Sequence, residues 1–133
     1  MTFLLDTNAC IRYLNGKAPK IREHMRLHRP EEIRVCSVVK AELFAGAAKS
    51  TDPARTLARQ QAFLSRFVSL PFDDAAADEY GRVRAHLEMA GTPIGPYDLQ
   101  VAAIALVHEI TVVTHNTDEF GRVPGLSLED WEL

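Results

Sequence analysis

Short apolar runs alternate with stretches of helical periodicity along almost the whole chain, and this alternation restricts the fold more than any other feature. Parallel strands need a crossover connection that can hold a helix, so the alternation favours a mostly parallel sheet. We predict an α/β fold with a four- to five-stranded sheet flanked by helices. The predicted strands, rich in β-branched residues, are Thr2–Leu5, Ile33–Cys36, Val68–Leu70, Ile110–Thr114 and a closing strand near Leu126–Leu128.

Helix boundaries are marked by capping residues and by glycine and proline. The first helix carries Cys10, Ile11 and Leu14 and ends at Gly16, and Ser37 is predicted to be the N-cap of the third. The later helices are Pro19–His28, Val38–Ala48, Pro53–Phe67, Asp74–Met89 and Tyr97–His108.

The size and composition of the chain indicate one compact domain, residues 1–133. No apolar stretch approaches the roughly 20 residues that span a bilayer, and Asp6 interrupts the first apolar run too early for a secretory signal. We therefore expect a soluble, cytoplasmic protein with no membrane contact. Cys10 and Cys36 lack CxxC spacing and a companion histidine cluster, which predicts buried thiols and neither a zinc site nor a disulfide.

Charge is distributed unevenly along the chain. Residues 1–66 carry twelve Lys/Arg and six Asp/Glu, whereas residues 67–133 carry three and twelve. Such an asymmetry can place a phosphate-binding surface next to a metal-binding one. Solvated helix faces would give the same counts, so charge alone leaves both interpretations open.

Acidic residues follow strands or begin helices at several separate points of the sequence. Asp6 follows the first strand, Asp98 lies in the first turn of a helix after Pro96, and Glu42 lies in the third helix beside small apolar neighbours, on a predicted core-facing stripe. Taken singly, Asp6 could be a helix cap, Asp98 a partner of the helix dipole, and Glu42 a surface residue if the helix is rotated. Carboxyl ends of parallel strands share one edge, however, so we expect these side chains to meet there.

A fourth acidic position follows the fourth strand and is less well defined. Glu119, just before apolar Phe120, is predicted to turn inward, whereas Asp118 is predicted to be solvated. Asn116 can bond a neighbouring carboxylate or a metal-bound water. His115 is the only histidine near this position, and we expect a partly exposed strand-end residue more than a general base.

Ligands that offer only oxygen select hard cations such as Mg²⁺, with Mn²⁺ as a substitute. Magnesium keeps several waters and takes one or two carboxylates together with phosphate oxygens of a substrate. With two such ions about 4 Å apart, one activates a water and the other stabilises the leaving oxygen. The pattern therefore predicts a site for phosphoryl transfer.

At these residues the chain resembles PIN-domain ribonucleases, and among them the VapC toxins of type II toxin–antitoxin pairs. The motifs that carry this resemblance span nearly the whole chain: Leu5-Asp6-Thr7-Asn8, Ala41-Glu42-Leu43 with Gly46-Ala47, Thr92–Asp98, and Val113–Phe120. The ending, with Arg122–Leu126 and Glu129-Asp130-Trp131, is similar to the branch that cleaves initiator tRNA.

The resemblance implies Mg²⁺-dependent endonucleolytic cleavage of RNA, with Asp6, Glu42, Asp98 and Glu119 as the catalytic and metal-binding acids. Many PIN domains carry aspartate where this chain has Asn116. We therefore include Asn116 among the expected metal-site residues, and whether Asn116, Asp118 or Glu119 is the fourth ligand stays open. The resemblance also implies a homodimer and a VapB-type antitoxin that sends a basic side chain into the acidic pocket. An arginine guanidinium can bind carboxylates bidentately in place of a cation.

The basic half of the chain offers a surface for the RNA. RNA that is read by sequence is generally single-stranded, and an anticodon loop is such a target. Six basic residues of the first two predicted helices and their connection could bind phosphates that flank the cleaved bond. They are Arg12, Lys17, Lys20, Arg22, Arg26 and Arg29.

Three other classes of protein compete with this interpretation. A haloacid-dehalogenase-like phosphatase needs a second aspartate two residues after Asp6, where this chain has Asn8. A receiver domain needs a phosphoacceptor aspartate after the third strand, where Asp73 and Asp74 instead begin a helix. A catalytically silent binding module with the PIN shape is favoured only by Asn116.

Overall fold

The computed structural model describes residues 1–133, and its five strands form one sheet in the order β3-β2-β1-β4-β5. All four strand pairings are parallel. This confirms the α/β prediction. The strands are β1 Phe3–Leu5, β2 Ile33–Cys36, β3 Val68–Leu70, β4 Thr111–Val113 and β5 Leu128–Glu129.

Helices cover both faces of this sheet, and three of them begin with an aspartate cap. Asp6, Asp52 and Asp73 each accept a hydrogen bond from the backbone N–H three residues later, the usual way to satisfy a free donor at a helix start. The helices are α1 Thr7–Asn15, α2 Pro19–Leu27, α3 Ser37–Ala48, α4 Pro53–Leu64, α5 Asp74–Met89, α6 Pro96–His108 and α7 Thr117–Phe120.

Several predicted boundaries differ from those of the structure. Ser37 is the first residue of α3, not its cap, and its hydroxyl accepts a hydrogen bond from Phe72 N at 3.3 Å. Helix α4 ends at Leu64, three residues early. Strand β5 begins two residues late, because a turn at Gly125, with φ of 78°, precedes it. Helix α7 was not predicted, since four residues are too few to show a helical period.

One hydrophobic core joins the sheet to the helices. Leu4 and Val112 of the central strands are fully buried. Residues Val101–Ala105, in the middle of helix α6, are buried as well. Cys10 and Cys36 are buried free thiols, as predicted. None of the helices has both the length and the apolar character needed to cross a membrane.

The strand order creates a crevice between β1 and β4. From β1 the chain moves outward to β2 and β3, then crosses back to place β4 on the other side of β1. In open parallel sheets such a reversal separates the connections at the carboxyl ends of the two strands, and binding sites form there. Asp6 follows β1 and Thr114 follows β4 at this point.

Candidate metal centre

Asp6 lies at the bottom of the crevice and is 3% exposed. Its Oδ1 accepts a hydrogen bond from Ala9 N at 2.8 Å, and the nearby Thr114 side chain also acts to lower the pKa of the carboxylate. Burial raises the pKa of Asp6 to about 6, and the nearby charges of Glu132 and Glu42 add to the rise in pKa. The carboxylate is thus held firmly in an environment that disfavours its charge.

Glu42 approaches the crevice from helix α3. Its Oε1 accepts a hydrogen bond from the Thr7 hydroxyl at 2.8 Å, which ties the side chain to the first turn of α1. Glu42 is half-buried, so it lies at the edge of the predicted core-facing stripe and not within the core. The buried face of α3 is formed by Val38, Val39, Leu43 and Ala47. Glu42, one turn after Val38, is half-buried at its border, where it can point into the crevice without entering the core.

Asp98 and Glu119 are joined by one amide group. The Asn116 Nδ2 atom donates to Asp98 Oδ2 at 3.3 Å and to Glu119 Oε2 at 3.0 Å. The pKa of Asp98 is raised to about 6, mainly by burial and to a smaller extent by the negative charges of Asp6 and Glu119. The two carboxylates therefore face the same space as Asp6, and Asn116 lies between them.

The two acids at the start of α7 point in different directions. Asp118 is 91% exposed at its side chain and forms an ion pair with Arg122 at 3.4 Å. Glu119 is half-buried and faces Asn116. The geometry agrees with an inward Glu119 and a solvated Asp118.

The four acids Asp6, Glu42, Asp98 and Glu119 share a further property. None of them takes part in any ion pair of the structure, although Asp118, Asp130 and Glu132 each have a cationic or histidine partner. No cationic side chain therefore compensates their mutual repulsion. A set of oxygen ligands with uncompensated negative charge fits a hard divalent cation.

A second cluster borders the crevice. The potential ligand atoms of His115, Asp130 and Glu132 lie within 4.8 Å of one another. Asp130 Oδ2 is 2.8 Å from His115 Nδ1, and Glu132 Oε1 is 2.6 Å from Arg12 Nε. Unlike the four acids of the crevice, both carboxylates here already have an ion-pair partner.

The six predicted RNA-binding residues do not form one surface. Arg12 and Lys17 line a groove beside the crevice, and Lys20 is exposed nearby at the start of α2. Arg22 is engaged by the protein itself, because its Nη2 donates to Tyr13 O at 2.8 Å and its guanidinium lies over the Tyr13 ring.

The other two basic residues lie towards the opposite edge of the sheet. Helix α2 ends at Leu27, and Arg29 lies two residues beyond its end. It pairs with Glu32 just before the amino end of β2. Arg26 is exposed in the last turn of α2.

Sequence reasoning missed the residues that hold the acids in place. The Thr7 hydroxyl bonds Glu42, and the Thr114 hydroxyl, near Asp6, accepts a hydrogen bond from Asn116 N at 2.9 Å. Two features of the sequence could have pointed to them: Thr7 lies in the Asp-Thr-Asn motif, and Thr114 directly follows β4. No feature of the sequence predicted the contact between Asp130 and His115, because the two residues are brought together only by the pairing of β4 with β5.

Comparison with known proteins agrees with this fold and site. Residues 3–126 match the PIN domain family. The chain is 42% identical over 131 residues to the tRNA(fMet)-specific endonuclease VapC of Salmonella typhimurium, covering 98% of each chain. It is 35% identical to ribonuclease VapC2 of Rickettsia felis over 99% of each.

Solved structures give the same result. The DNA-bound VapBC complex from Salmonella typhimurium contains a chain that superposes with a TM-score of 0.93 at 42% identity, covering 98% of both chains. VapBC2 of Rickettsia felis, bound to a DNA fragment from its promoter, gives 0.90 at 32% identity, covering 98% of this chain and 99% of that one. The chain therefore belongs to the PIN-domain family, and within it to the VapC ribonucleases.

Proposed function

We propose that this protein is a divalent-metal-dependent endoribonuclease, the toxin of a VapBC-type pair, which cleaves initiator tRNA in the single-stranded anticodon loop. The observation that carries the proposal is the convergence of Asp6, Glu42, Asp98 and Glu119 at the carboxyl edge of the sheet with no ion-pair partner. The relative named as a tRNA(fMet)-specific endonuclease supports the choice of substrate. Membership of the PIN family excludes the phosphatase and receiver alternatives.

The residues of the crevice have distinct proposed roles. Asp6 and Asp98, fixed by Ala9 N and by Asn116, would hold Mg²⁺, for which Mn²⁺ can substitute, and Glu42 and Glu119 complete the acidic set. Asn116 orients Asp98 and Glu119 as a hydrogen-bond donor. When bound, the ion acidifies the attacking water and offsets the negative charge that develops at the phosphate.

The partners follow from the same site. Solved relatives are complexes of toxin with antitoxin, and we propose a VapB-type antitoxin for this chain, acting on a homodimer in the cytoplasm. A basic side chain of the antitoxin would occupy the crevice, because four carboxylates without an ion pair attract a guanidinium as well as a metal ion. Inhibition would then be competition for the same oxygens.

Cleavage of purified initiator tRNA by single variants tests the proposal. In Mg²⁺, Asp98→Asn should lose about 100-fold or more of the activity while it keeps the fold, since the amide removes a charged ligand but preserves the shape. The matched control is Asp118→Asn, which changes an exposed acid only 20 residues along the chain. Wild-type turnover by Asp98→Asn, or cleavage by the wild type that persists in EDTA, would contradict the proposal.

The choice of metal and the silent-module alternative are settled by the same assay. After removal of metal with EDTA, activity should return with Mg²⁺ and also with Mn²⁺. A protein that binds the tRNA but never cleaves it, with any divalent ion, would be the silent module.

A further inference from the structure

Two grooves lead away from the acidic crevice, and they differ in chemistry. One lies between α3 and α6, next to Glu42, and half of its lining residues are hydrophobic. The other, which we call the α1 groove, is an open space of about 480 Å³ lined by Asn8, Asn15, Lys17 and His115 among others, with Ile11 as its one hydrophobic residue. Amides, basic groups and an imidazole are the side chains that bind nucleotide bases and phosphates.

The α1 groove is continuous with the crevice through residues that belong to both. Asn116 lines the groove and bonds Asp98 and Glu119, and Asn8 lies two residues after Asp6. A strand of RNA whose phosphodiester bond lies at the acids must continue on either side of it. The α1 groove offers that strand a polar path.

The wall of this groove is held by the segment Asp130–Glu132, which follows β5. Trp131 is 1% exposed and packs against Phe3 in the core, so the segment is fixed at its middle residue. The residues on either side turn to the groove, where Asp130 contacts His115 at 2.8 Å and Glu132 contacts Arg12 at 2.6 Å.

The contact between Asp130 and His115 joins a largely buried carboxylate to an exposed imidazole ring. The Asp130 side chain is 9% exposed, whereas that of His115 is 61% exposed. Because Nδ1 is bound to the carboxylate, the ring is held with its other edge and its face free at the groove. An exposed imidazole plane fixed in this way can stack on an unpaired base without losing side-chain freedom on binding.

We propose that the α1 groove binds the nucleotides next to the cleaved bond, and that Asp130 and Glu132 are positioning residues that orient His115 and Arg12 for this RNA. The proposal rests on the proposed function and assigns a substrate path to that same site. His115 stacks on a base, Arg12 and Lys17 contact phosphates, and Asn8 and Asn15 face base edges.

Steady-state kinetics on initiator tRNA with the full-length protein test this assignment. His115→Ala should raise KM about ten-fold, with a much smaller change in kcat, since stacking is lost but the acids are untouched. His86→Ala is the matched control, because His86 is an exposed histidine on α5 and makes no ion pair. Unchanged KM for His115→Ala would overturn the assignment.

A double-mutant cycle tests whether Asp130 acts through His115. Asp130→Ala should raise KM, Asp130→Asn should recover part of the loss because its carbonyl oxygen can still accept the Nδ1 proton, and Asp130→Ala combined with His115→Ala should be no worse than His115→Ala alone. Additive losses would contradict the positioning role. Trp131 fluorescence reports whether each variant keeps the segment docked.

The outcome separates this inference from the proposed function. If the wild type cleaves tRNA in Mg²⁺ and Asp98→Asn does not, the nuclease proposal holds whatever the His115 variants do. If the wild type cleaves no RNA, the nuclease proposal fails, and the groove assignment fails with it.

Discussion

In EDTA at pH 7.5, we expect Asp6→Asn to make this protein more stable than the wild type. Asparagine keeps the shape of the side chain and caps a helix as well as aspartate does, so its oxygen can still accept Ala9 N. It removes a buried charge that has no ion-pair partner and lies near Glu42 and Glu132. In the absence of metal, the charged Asp6 side chain should therefore make the folded protein less stable.

The magnitude follows from the pKa of Asp6, which is about 6 in the folded protein against an ordinary value of 3.8. A pKa raised in the folded state means that the native protein holds the proton more tightly, so the free energy of unfolding falls as pH rises from about 4 to about 6. Above this window the loss approaches about 3 kcal/mol, because each pKa unit corresponds to about 1.4 kcal/mol. The asparagine variant avoids this loss but has to bury the N–H groups of its amide, which offsets part of the benefit. We therefore expect Asp6→Asn to raise the free energy of unfolding by roughly 1 to 3 kcal/mol at pH 7.5.

Two changes of conditions should remove this advantage. At pH 4.5 the native carboxyl is largely protonated, and the loss attributable to its ionisation falls to about 1 kcal/mol. With Mg²⁺ at 100 times its Kd, the wild type should gain about 2.7 kcal/mol by mass action. Asp6→Asn, which lacks a charged ligand, should gain much less.

Urea unfolding followed by the fluorescence of Trp131, the single tryptophan, measures the free energy of unfolding in each of these three conditions. The control is Asp118→Asn, whose exposed side chain should change the free energy of unfolding by less than about 0.5 kcal/mol. The reasoning is refuted if Asp6→Asn is less stable than the wild type in EDTA at pH 7.5, or if its advantage is the same at pH 4.5.

Three further substitutions test contacts around the site. Thr7→Val removes the hydroxyl that bonds Glu42 and should weaken Mg²⁺ binding about 10- to 100-fold by calorimetric titration. Asn116→Asp replaces a donor to two carboxylates by a third negative charge, so urea unfolding in EDTA should show a loss of about 1 to 3 kcal/mol, whereas Mg²⁺ should bind more tightly. Trp131→Ala empties a fully buried position and should cost about 3 to 5 kcal/mol in urea unfolding followed by circular dichroism, since this variant has no tryptophan to fluoresce.

The sequence carried enough information for the sheet and for the approximate position of the acids. Alternating apolar runs and helical stretches have few solutions other than a parallel sheet, and an acid directly after a strand must lie at its carboxyl edge. The position of Asp6 at the carboxyl edge of the sheet could be predicted in this way from the sequence alone. Asp98, in the first turn of α6, also lies where the proline frame before it predicted.

Side-chain direction at element borders could not be read in the same way. Glu42 was expected on the buried face of α3, but the helix is apolar on nearly all sides, so its sequence does not mark which face packs on the sheet. Arg22 looked free for RNA until the structure showed its contacts with Tyr13. Partners of this kind depend on how two helices meet, which periodicity within one helix does not encode.

Asn116 explains how the acids can remain close together before a cation arrives. One amide nitrogen donates to both Asp98 and Glu119, and it therefore offsets part of their repulsion without adding charge. A metal ion or a guanidinium that binds the same oxygens has to compete with these two hydrogen bonds. An aspartate at this position would remove the competition and add a ligand, but the metal-free crevice would then hold five carboxylates. Asparagine here thus favours a stable metal-free fold at the expense of metal affinity, which is the balance that Asn116→Asp would reverse.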